Sequence, residues 1–193
     1  MTIGLRTPGL REIAVLGVRC GDIASGMGGT LLTLTSERAL SLRIHALVLS
    51  GADTRHEVEE HRTLAAVPGF SEFPGVADLS EDSCLAEHIA QVFRDHLVLG
   101  YETPQRPAPV TATTTLFHPL APEDARGKAQ MLDPGPSDGL DPAQHAAHLA
   151  LARLRGSQCG NPFAEAVLAE KVVLPDGSAQ PSAVGIRETG LPQ

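Results

Sequence analysis

Segments of alternating apolar and polar residues lie within the first fifty positions of the chain, and a period of two is typical of β-strands. A short apolar run over residues 11–19 predicts a first strand, followed by a glycine-rich loop over residues 20–29. The segments 30–35 and 39–46 alternate apolar with polar residues, and the short turn between them predicts a hairpin. A helix over residues 37–49 is the competing interpretation, because these residues also have fair helix propensity.

Helical patterns follow in the middle and late parts of the chain. A polar segment over residues 53–66 begins with a potential N-cap, and apolar residues at helical spacing predict a long helix over residues 81–98. Asp-Pro and Asn-Pro pairs predict two further helices, over residues 142–155 and 162–171. Strands therefore cluster early and helices come later, so a sustained βαβ alternation is not expected.

Two proline-rich segments, residues 103–109 and 133–142, predict irregular connections between these elements. The sequence predicts a single α+β domain over residues 1–193, with a mostly antiparallel sheet and three to four helices packed on it. A two-lobed arrangement with a boundary near residues 101–109 is the alternative, because the proline-rich segments could separate two lobes, although 193 residues are marginal for two domains.

Charge and composition exclude several classes of partner. The formal net charge is -8 and no basic cluster interrupts it, so we expect no binding to nucleic acid or to an anionic membrane surface. No apolar run approaches the ~20 residues that a membrane helix needs. The three cysteines form no CxxC pair and no signal-peptide pattern is present, which together predict a cytoplasmic protein.

The densest group of chemically useful side chains lies in the segment His-Glu-Val-Glu-Glu-His, residues 56–61. Its histidines are five apart, whereas the metalloprotease motif needs them four apart on one helical face. The spacing does place His56 one helical turn from Glu60, and Glu57 one turn from His61. Either carboxylate could orient an imidazole for acid/base catalysis, and the alternative is a solvated surface helix.

Residues of the predicted 81–98 helix form a second group of candidates. His96 falls within the apolar stripe, where a histidine acts either in proton transfer or as a hydrogen-bonded core residue. Cys84 and His88 lie one turn apart and could supply two metal ligands, although no second ligand pair is apparent. A divalent metal ion is therefore compatible with the sequence, and no other cofactor is indicated.

Two glycine-bearing segments are candidates for catalytic or binding loops. Cys159 lies just ahead of the predicted helix over residues 162–171, whose positive dipole end would favour a reactive thiolate. A small buried cysteine is the alternative. The glycine-rich segment 25–30 is similar to phosphate loops in composition, but the strand predicted after it argues against nucleotide binding, which requires a helix there.

Two functions from different classes remain open. The first is a small enzyme that acts on a polar small molecule by His/Glu acid/base chemistry, with or without a metal. The second is a non-catalytic subunit or interaction domain, and a homo-oligomer is compatible with either. An enzyme should gather at least three histidines around one cleft, taken from His56, His61, His96, His118, His145 and His148. The candidate catalytic residues are His56, Glu57, Glu60, His61, His96 and Cys159.

Overall fold

The computed structural model describes residues 11–37, 42–51, 54–67, 70–72, 91–94, 96–105, 107, 115–132 and 142–172. These residues form two three-stranded sheets and four helices. In chain order the elements are β1 (Glu12–Gly17), α1 (Asp22–Glu37), β2 (Arg43–Val48), α2 (Arg55–Ala65), β3 (Phe70–Glu72), β4 (Val98–Tyr101), β5 (Thr115–Pro119), α3 (Pro122–Met131), α4 (Pro142–Gln158) and β6 (Ala164–Lys171). The α+β class predicted from the sequence is confirmed.

The first sheet is parallel and has the order β1-β2-β3. β1 and β2 pair over their whole lengths, from Glu12 opposite Arg43 to Gly17 opposite Val48. Helix α1 makes the crossover between these two strands and α2 makes the next one, as parallel pairing requires. Apolar side chains of both strands are buried in a common core, which Ile23 and Leu31 of α1 also enter.

The second sheet is antiparallel and has the order β4-β6-β5. Its central strand, β6, has Ala164, Ala166 and Val167 buried, and helix α4 packs beside it. Lys171 at the end of β6 donates to the backbone carbonyls of Phe93 and Arg94. The predicted antiparallel pairing thus describes this sheet, whereas the first sheet is parallel.

Helix α1 contacts both sheets, and glycines allow the close approach. A Cβ atom on Gly26 would overlap the ring of Tyr101, the last residue of β4. A Cβ atom on Gly29 would lie 2.5 Å from Cδ1 of Leu120, just after β5. Small residues along this face of α1 therefore permit the second sheet and its flanking residues to pack against the helix backbone.

Two buried ion pairs tie these elements together. Nζ of Lys128 in α3 lies 2.6 Å from Oε1 of Glu165 on β6. The Glu165 carboxylate also accepts hydrogen bonds from the backbone N–H groups of Gly29 and Thr30 in α1. Arg155 of α4 forms a bidentate ion pair with Glu102, in which Nε and Nη2 each donate to a carboxylate oxygen at 2.6 Å. Both pairs are almost fully buried, and each joins separate elements of the fold.

The largest departure from the sequence prediction is α1. The predicted loop over residues 20–29 and the predicted strand over residues 30–35 are, from Asp22 onward, one helix. Because α1 is covered on several sides, most of its Thr and Ser side chains are buried or half-buried and the helical period is obscured. Thr35, for example, donates its hydroxyl to the Leu31 carbonyl one turn earlier instead of facing solvent.

The later elements agree with the sequence prediction in some places and differ from it in others. The 53–66 helix is present as α2, with Thr54 at the N-cap position, whereas Asp53 lies outside the described residues. The 142–155 helix is present as α4. The helix predicted over residues 162–171 is wrong, because this segment is the central strand β6 with both neighbours paired to it. Its pairing partners are remote in sequence, so local helix signals were overridden.

The predicted 81–98 helix lies largely outside the described residues, and its predicted end is wrong because Val98 already begins β4. The proline-rich segment 133–141 also lies outside them. Helix α3 was not predicted, although Pro122 at its first position is a recognised start signal. None of the described helices is long and apolar enough to span a membrane.

Candidate functional site

The candidate site lies where the carboxyl ends of the parallel strands β1 and β2 meet the first turn of α1. Ligands of open sheets with parallel strands commonly bind outside this edge. The loops after the two strands are connected directly, since Leu49 N–H donates to Gly17 O at 2.9 Å and the Ser50 hydroxyl donates to Val18 O at 2.6 Å. We call this place the junction, formed by residues 18–25 and 49–51 with the side chains that face them.

Glu60 of α2 places its carboxyl group in the junction although only 2% of the residue is exposed. Oε2 accepts the backbone N–H of Gly21 at 2.6 Å. Oε1 is buried and has no hydrogen-bond partner among the described residues. Burial raises the pKa of Glu60 to about 7; the bond from Gly21 opposes this rise, and the charge of Asp22 adds to it.

Asp22 closes the start of α1. Its Oδ2 accepts the backbone N–H of Arg19 at 3.0 Å, and Asp22 N–H donates to the Arg19 carbonyl at 3.2 Å. Gly21 precedes it with φ of 90°, a left-handed conformation that glycine adopts without strain. This turn directs the Gly21 N–H to the Glu60 carboxylate.

Cys20 lies beside Glu60 and is half-buried. Its thiol is 3.8 Å from the carbonyl of Ser50, a weak contact that fits an S–H donor. Burial raises the pKa of the Cys20 thiol to about 11, and the charges of Glu60 and Glu57 add to the rise. The thiol is therefore protonated at neutral pH and is a poor nucleophile in this setting.

Tyr101 connects the second sheet to the junction. Its hydroxyl donates to the backbone carbonyl of Leu16 in β1 at 2.8 Å. Burial raises the pKa of Tyr101, and the charges of Asp22 and Glu60 raise it further. Tyr101 is therefore a hydrogen-bond donor at neutral pH.

A buried serine and histidine lie one turn further along α1. Ser25 Oγ is 3.4 Å from Nδ1 of His148, which α4 supplies. The Ser25 N–H donates to the carbonyl of Gly21, so this pair is separated from the Glu60 contact by a single helical turn. The loop after β2, helices α2 and α4 and strand β4 thus all supply polar groups near the start of α1.

Of the residues predicted from the sequence, Glu60 lies at the centre of the junction. Glu57, on the same helix, is half-buried and close enough to raise the pKa of Cys20. His56 is exposed, and its Nδ1 lies 3.2 Å from Oε2 of Glu59, so it pairs three residues on and not with Glu60. His61 is also exposed.

His96 and Cys159 lie in other surroundings. His96 is exposed and packs edge to face against Phe93 with ring centroids 5.6 Å apart, so its predicted place in an apolar stripe is wrong. Cys159 follows the carboxyl end of α4, where its thiol contacts the carbonyl of Gly156 at 3.4 Å. Because β6 replaces the predicted helix after Cys159, the dipole argument for a reactive thiolate fails.

The described histidines occupy α2, the segment before β4, strand β5 and helix α4, besides His45 on β2; no group of three or more His, Cys, Asp or Glu side chains in the described ranges could hold a metal ion. Cys84 and His88 lie outside those ranges. The sequence prediction also missed Cys20, Asp22 and Tyr101, and it named His148 only among the histidines that could gather around a cleft. A strand followed by a short Gly-Asp turn was the available signal, but it points to a site only if α1 is recognised as a helix.

Comparisons with known proteins add information on the fold. No protein family model matches the chain, and no curated protein is detectably similar to it in sequence. The crystal structure of the conserved protein TT1542 from Thermus thermophilus is similar, with a TM-score of 0.55 and 14% sequence identity. The match covers 89% of this chain and 100% of that one. At this identity the similarity supports the fold alone.

Proposed function

We propose that the protein is an enzyme that carries out acid/base chemistry on a polar small molecule at the junction, with Glu60 as the group that transfers the proton. The observation that carries this proposal is the state of the Glu60 carboxyl: buried, held on one oxygen by Gly21, and without a described partner on the other. General acids and bases work best when their pKa is near the working pH, and burial raises the pKa of Glu60 to about 7.

The hydrogen bond from Gly21 also determines which oxygen would exchange the proton. Oε2 already accepts an N–H, so in the neutral acid the proton is favoured on Oε1. The same Oε1 is the oxygen without a described partner. A substrate atom placed against Oε1 could therefore receive a proton from the acid or give one to the carboxylate.

The surroundings combine partial solvent exposure with a fixed geometry. Gly21, Asp22 and Gly51 are half-buried, so parts of the junction near the buried carboxyl group are in contact with solvent. Helix α2 and the Gly21 N–H fix the carboxyl group in place, which is the preorganisation that proton transfer requires.

The proposal is tested by comparing Glu60→Gln with Glu59→Gln. Wild type and both variants are incubated with a mixture of polar metabolites, and consumption is followed by mass spectrometry. Glu59 lies next in sequence on the same helix but contacts His56, so its substitution is the matched control. We expect wild type and Glu59→Gln to consume the same compound, and Glu60→Gln to do so about 10²-fold more slowly or worse. Equal consumption by Glu60→Gln would refute the assignment.

A non-catalytic subunit is the second candidate, and the placement of the histidines favours it. The described histidines are spread over α2, α4, β2, β5 and the segment before β4, and no group of them that could hold a metal ion is present among these residues. Exposed apolar side chains such as Val58 on α2 and Leu154 on α4 would suit a contact surface. Light scattering, which measures the mass of the particle in solution, tests the subunit hypothesis together with the predicted homo-oligomer. A stable assembly that Val58→Asp dissociates would support both. A cytoplasmic location remains part of the proposal.

A further inference from the structure

The buried Oε1 of Glu60 lacks a hydrogen-bond donor among the described residues, and this lack indicates what kind of ligand the junction takes. A carboxyl oxygen removed from water without a partner is costly, and the cost is much larger for the ionised form. A ligand that supplies a donor to Oε1 would remove this penalty.

Three donors of the junction are already committed elsewhere. The Gly21 N–H donates to Oε2 of Glu60, the Tyr101 hydroxyl to Leu16 O, and the Cys20 thiol contacts Ser50 O. Each could satisfy Oε1 only by giving up its present acceptor. An incoming ligand is therefore better placed to supply the missing N–H or O–H.

Carboxylates add negative charge to the junction. The charge of Asp22 disfavours ionisation of Glu60, Cys20 and Tyr101, which belong to three different segments. Glu57 acts in the same sense on Cys20. A positively charged donor is attracted to such a place, whereas an anion is repelled.

We propose that the junction binds the primary ammonium group of its substrate, with one N–H donating to Oε1 of Glu60. This inference rests on the proposed function, because it names the charged group of the molecule on which that site acts. An ammonium group is compact, carries three donors and forms a charge-assisted hydrogen bond with a carboxylate. A hydroxyl supplies a donor without the charge.

Proton linkage follows from the pairing. An ammonium ion binds the ionised carboxylate, so it must displace the proton of Glu60 and its affinity should rise with pH. Groups facing Glu60 are Asp22 from α1, Cys20 and Gly21 from the preceding loop, and Tyr101 from β4, with Glu57 on its own helix. Cys20 and Tyr101 stay protonated near neutrality. We therefore expect an affinity about tenfold higher at about pH 8 than at about pH 6.

The test uses the intact protein with ethylammonium chloride and ethanol as the size-matched neutral probe. Amide chemical shifts of Gly21 and Asp22 report binding, and the carboxyl carbon shift of Glu60 reports its pKa. We expect ethylammonium to shift both amides, to lower the pKa of Glu60 and to bind more tightly as pH rises, while ethanol binds at least about tenfold more weakly. Glu60→Gln should abolish this preference, and Glu59→Gln should retain it.

Three results would overturn the ammonium assignment. They are equal binding of ethanol, no shift of the two amides by ethylammonium, and complete exclusion of ethylammonium by stoichiometric zinc chloride, which would mark the junction as a metal site. The wild-type pH dependence remains informative if Glu60→Gln does not fold. Failure of the ammonium proposal can be distinguished from failure of the proposed function. If Glu60 titrates near pH 7 and supports turnover but the protein does not bind amines, only the ammonium proposal is refuted.

Discussion

Glu60 has an acidic side chain in a place where most proteins put an apolar one, and its two oxygens have different surroundings. The Gly21 N–H satisfies Oε2, whereas Oε1 has no described donor. The proton affinity of the group is consequently higher in the folded protein than in the unfolded chain. Folding stability must therefore depend on pH through this residue.

The first prediction concerns that dependence. The pKa of Glu60 is raised, so the folded state holds its proton more tightly and stability is lost as pH rises from the unfolded to the folded pKa. Over the window from about 4.5 to about 7, this group should lower the free energy of unfolding by about 3 kcal/mol. Glu60→Gln should remove that slope.

Urea unfolding at several pH values measures this effect as the difference between wild type and Glu60→Gln. Other carboxyl groups contribute equally to both proteins and cancel in the difference. A wild type and variant with parallel stability profiles across the window would show that Glu60 titrates normally and has access to water.

The sequence identified Glu60 as a candidate catalytic residue but did not predict that its side chain is buried beside the β1–α1 loop. The segment 56–61 offered several titratable residues on one helix, and its one apolar residue, Val58, is exposed, so the segment itself does not identify Glu60 as the buried one. Burial of Glu60, with exposure of His56 and His61, depends on how α2 sits against the β1–α1 loop. That contact spans 39 residues of sequence and leaves no local pattern.

At the scale of single elements, α1 is unusual because its helix is specified by its neighbours more than by its own residues. Three glycines, Gly26, Gly28 and Gly29, lie inside it, and each lowers helix propensity by about 1 kcal/mol relative to alanine. Gly26 and Gly29 lie where other residues need the space. Gly28 has more room, since an added Cβ would be 3.4 Å from Cγ of Lys128.

The second prediction separates packing from propensity at these positions. Gly26→Ala should destabilise the protein by about 1 to 3 kcal/mol or more, because Tyr101 must move from its bond to Leu16. Gly28→Ala should be neutral or stabilise by up to about 1 kcal/mol, since it adds helix propensity in ordinary contact distance. Thermal denaturation of both variants measures the difference. Equal effects at the two positions would contradict the described packing of α1.

The strand prediction for residues 30–35 failed for the same physical reason. Hydrophobic periodicity indicates secondary structure when one face of an element is exposed to solvent. Helix α1 is instead enclosed by residues from both sheets, so its periodicity is weak. Where one side of an element is more exposed, as in α2, the prediction from sequence was confirmed. The class of the fold was predictable because it depends on the kinds of elements present and not on each boundary.

At the scale of the whole molecule, the two buried ion pairs connect distant parts of the chain. Lys128 and Glu165 bring α3 and β6 to the middle of α1, while Arg155 and Glu102 hold α4 near the end of β4. Buried pairs of this kind are costly to break, because loss of one partner leaves the other charge unpaired. They fix how the elements are arranged around α1.

The third prediction tests the Lys128 pair. Lys128→Met should lower the free energy of unfolding by about 3 to 5 kcal/mol, because it leaves a buried Glu165 carboxylate with only backbone donors. Adding Glu165→Gln should recover part of the loss. The exposed pair between Glu12 and Arg43 is the control, where Arg43→Ala should cost no more than about 1 kcal/mol. Chemical denaturation that gives similar losses for both pairs would argue against burial of the first.

The fourth prediction concerns partners of the intact protein. With a net charge of -8, the chain offers little counterion release and should not retain nucleic acid at physiological ionic strength. Fluorescence anisotropy with labelled duplex and single-stranded oligonucleotides measures this. Salt-sensitive binding at submicromolar concentration would show a local basic surface that the overall charge conceals.

The dependence of α1 on its neighbours also determines when the junction exists. A peptide of residues 22–37 should be mostly unstructured in water, because glycine-rich segments of this length rarely sustain an isolated helix. The Gly21 N–H can therefore meet Glu60 only after the surrounding elements have docked. Its amide hydrogen should exchange with solvent at the rate set by cooperative unfolding and not by local fraying. A destabilising substitution far from Glu60 would then impair ligand binding without touching the ligand.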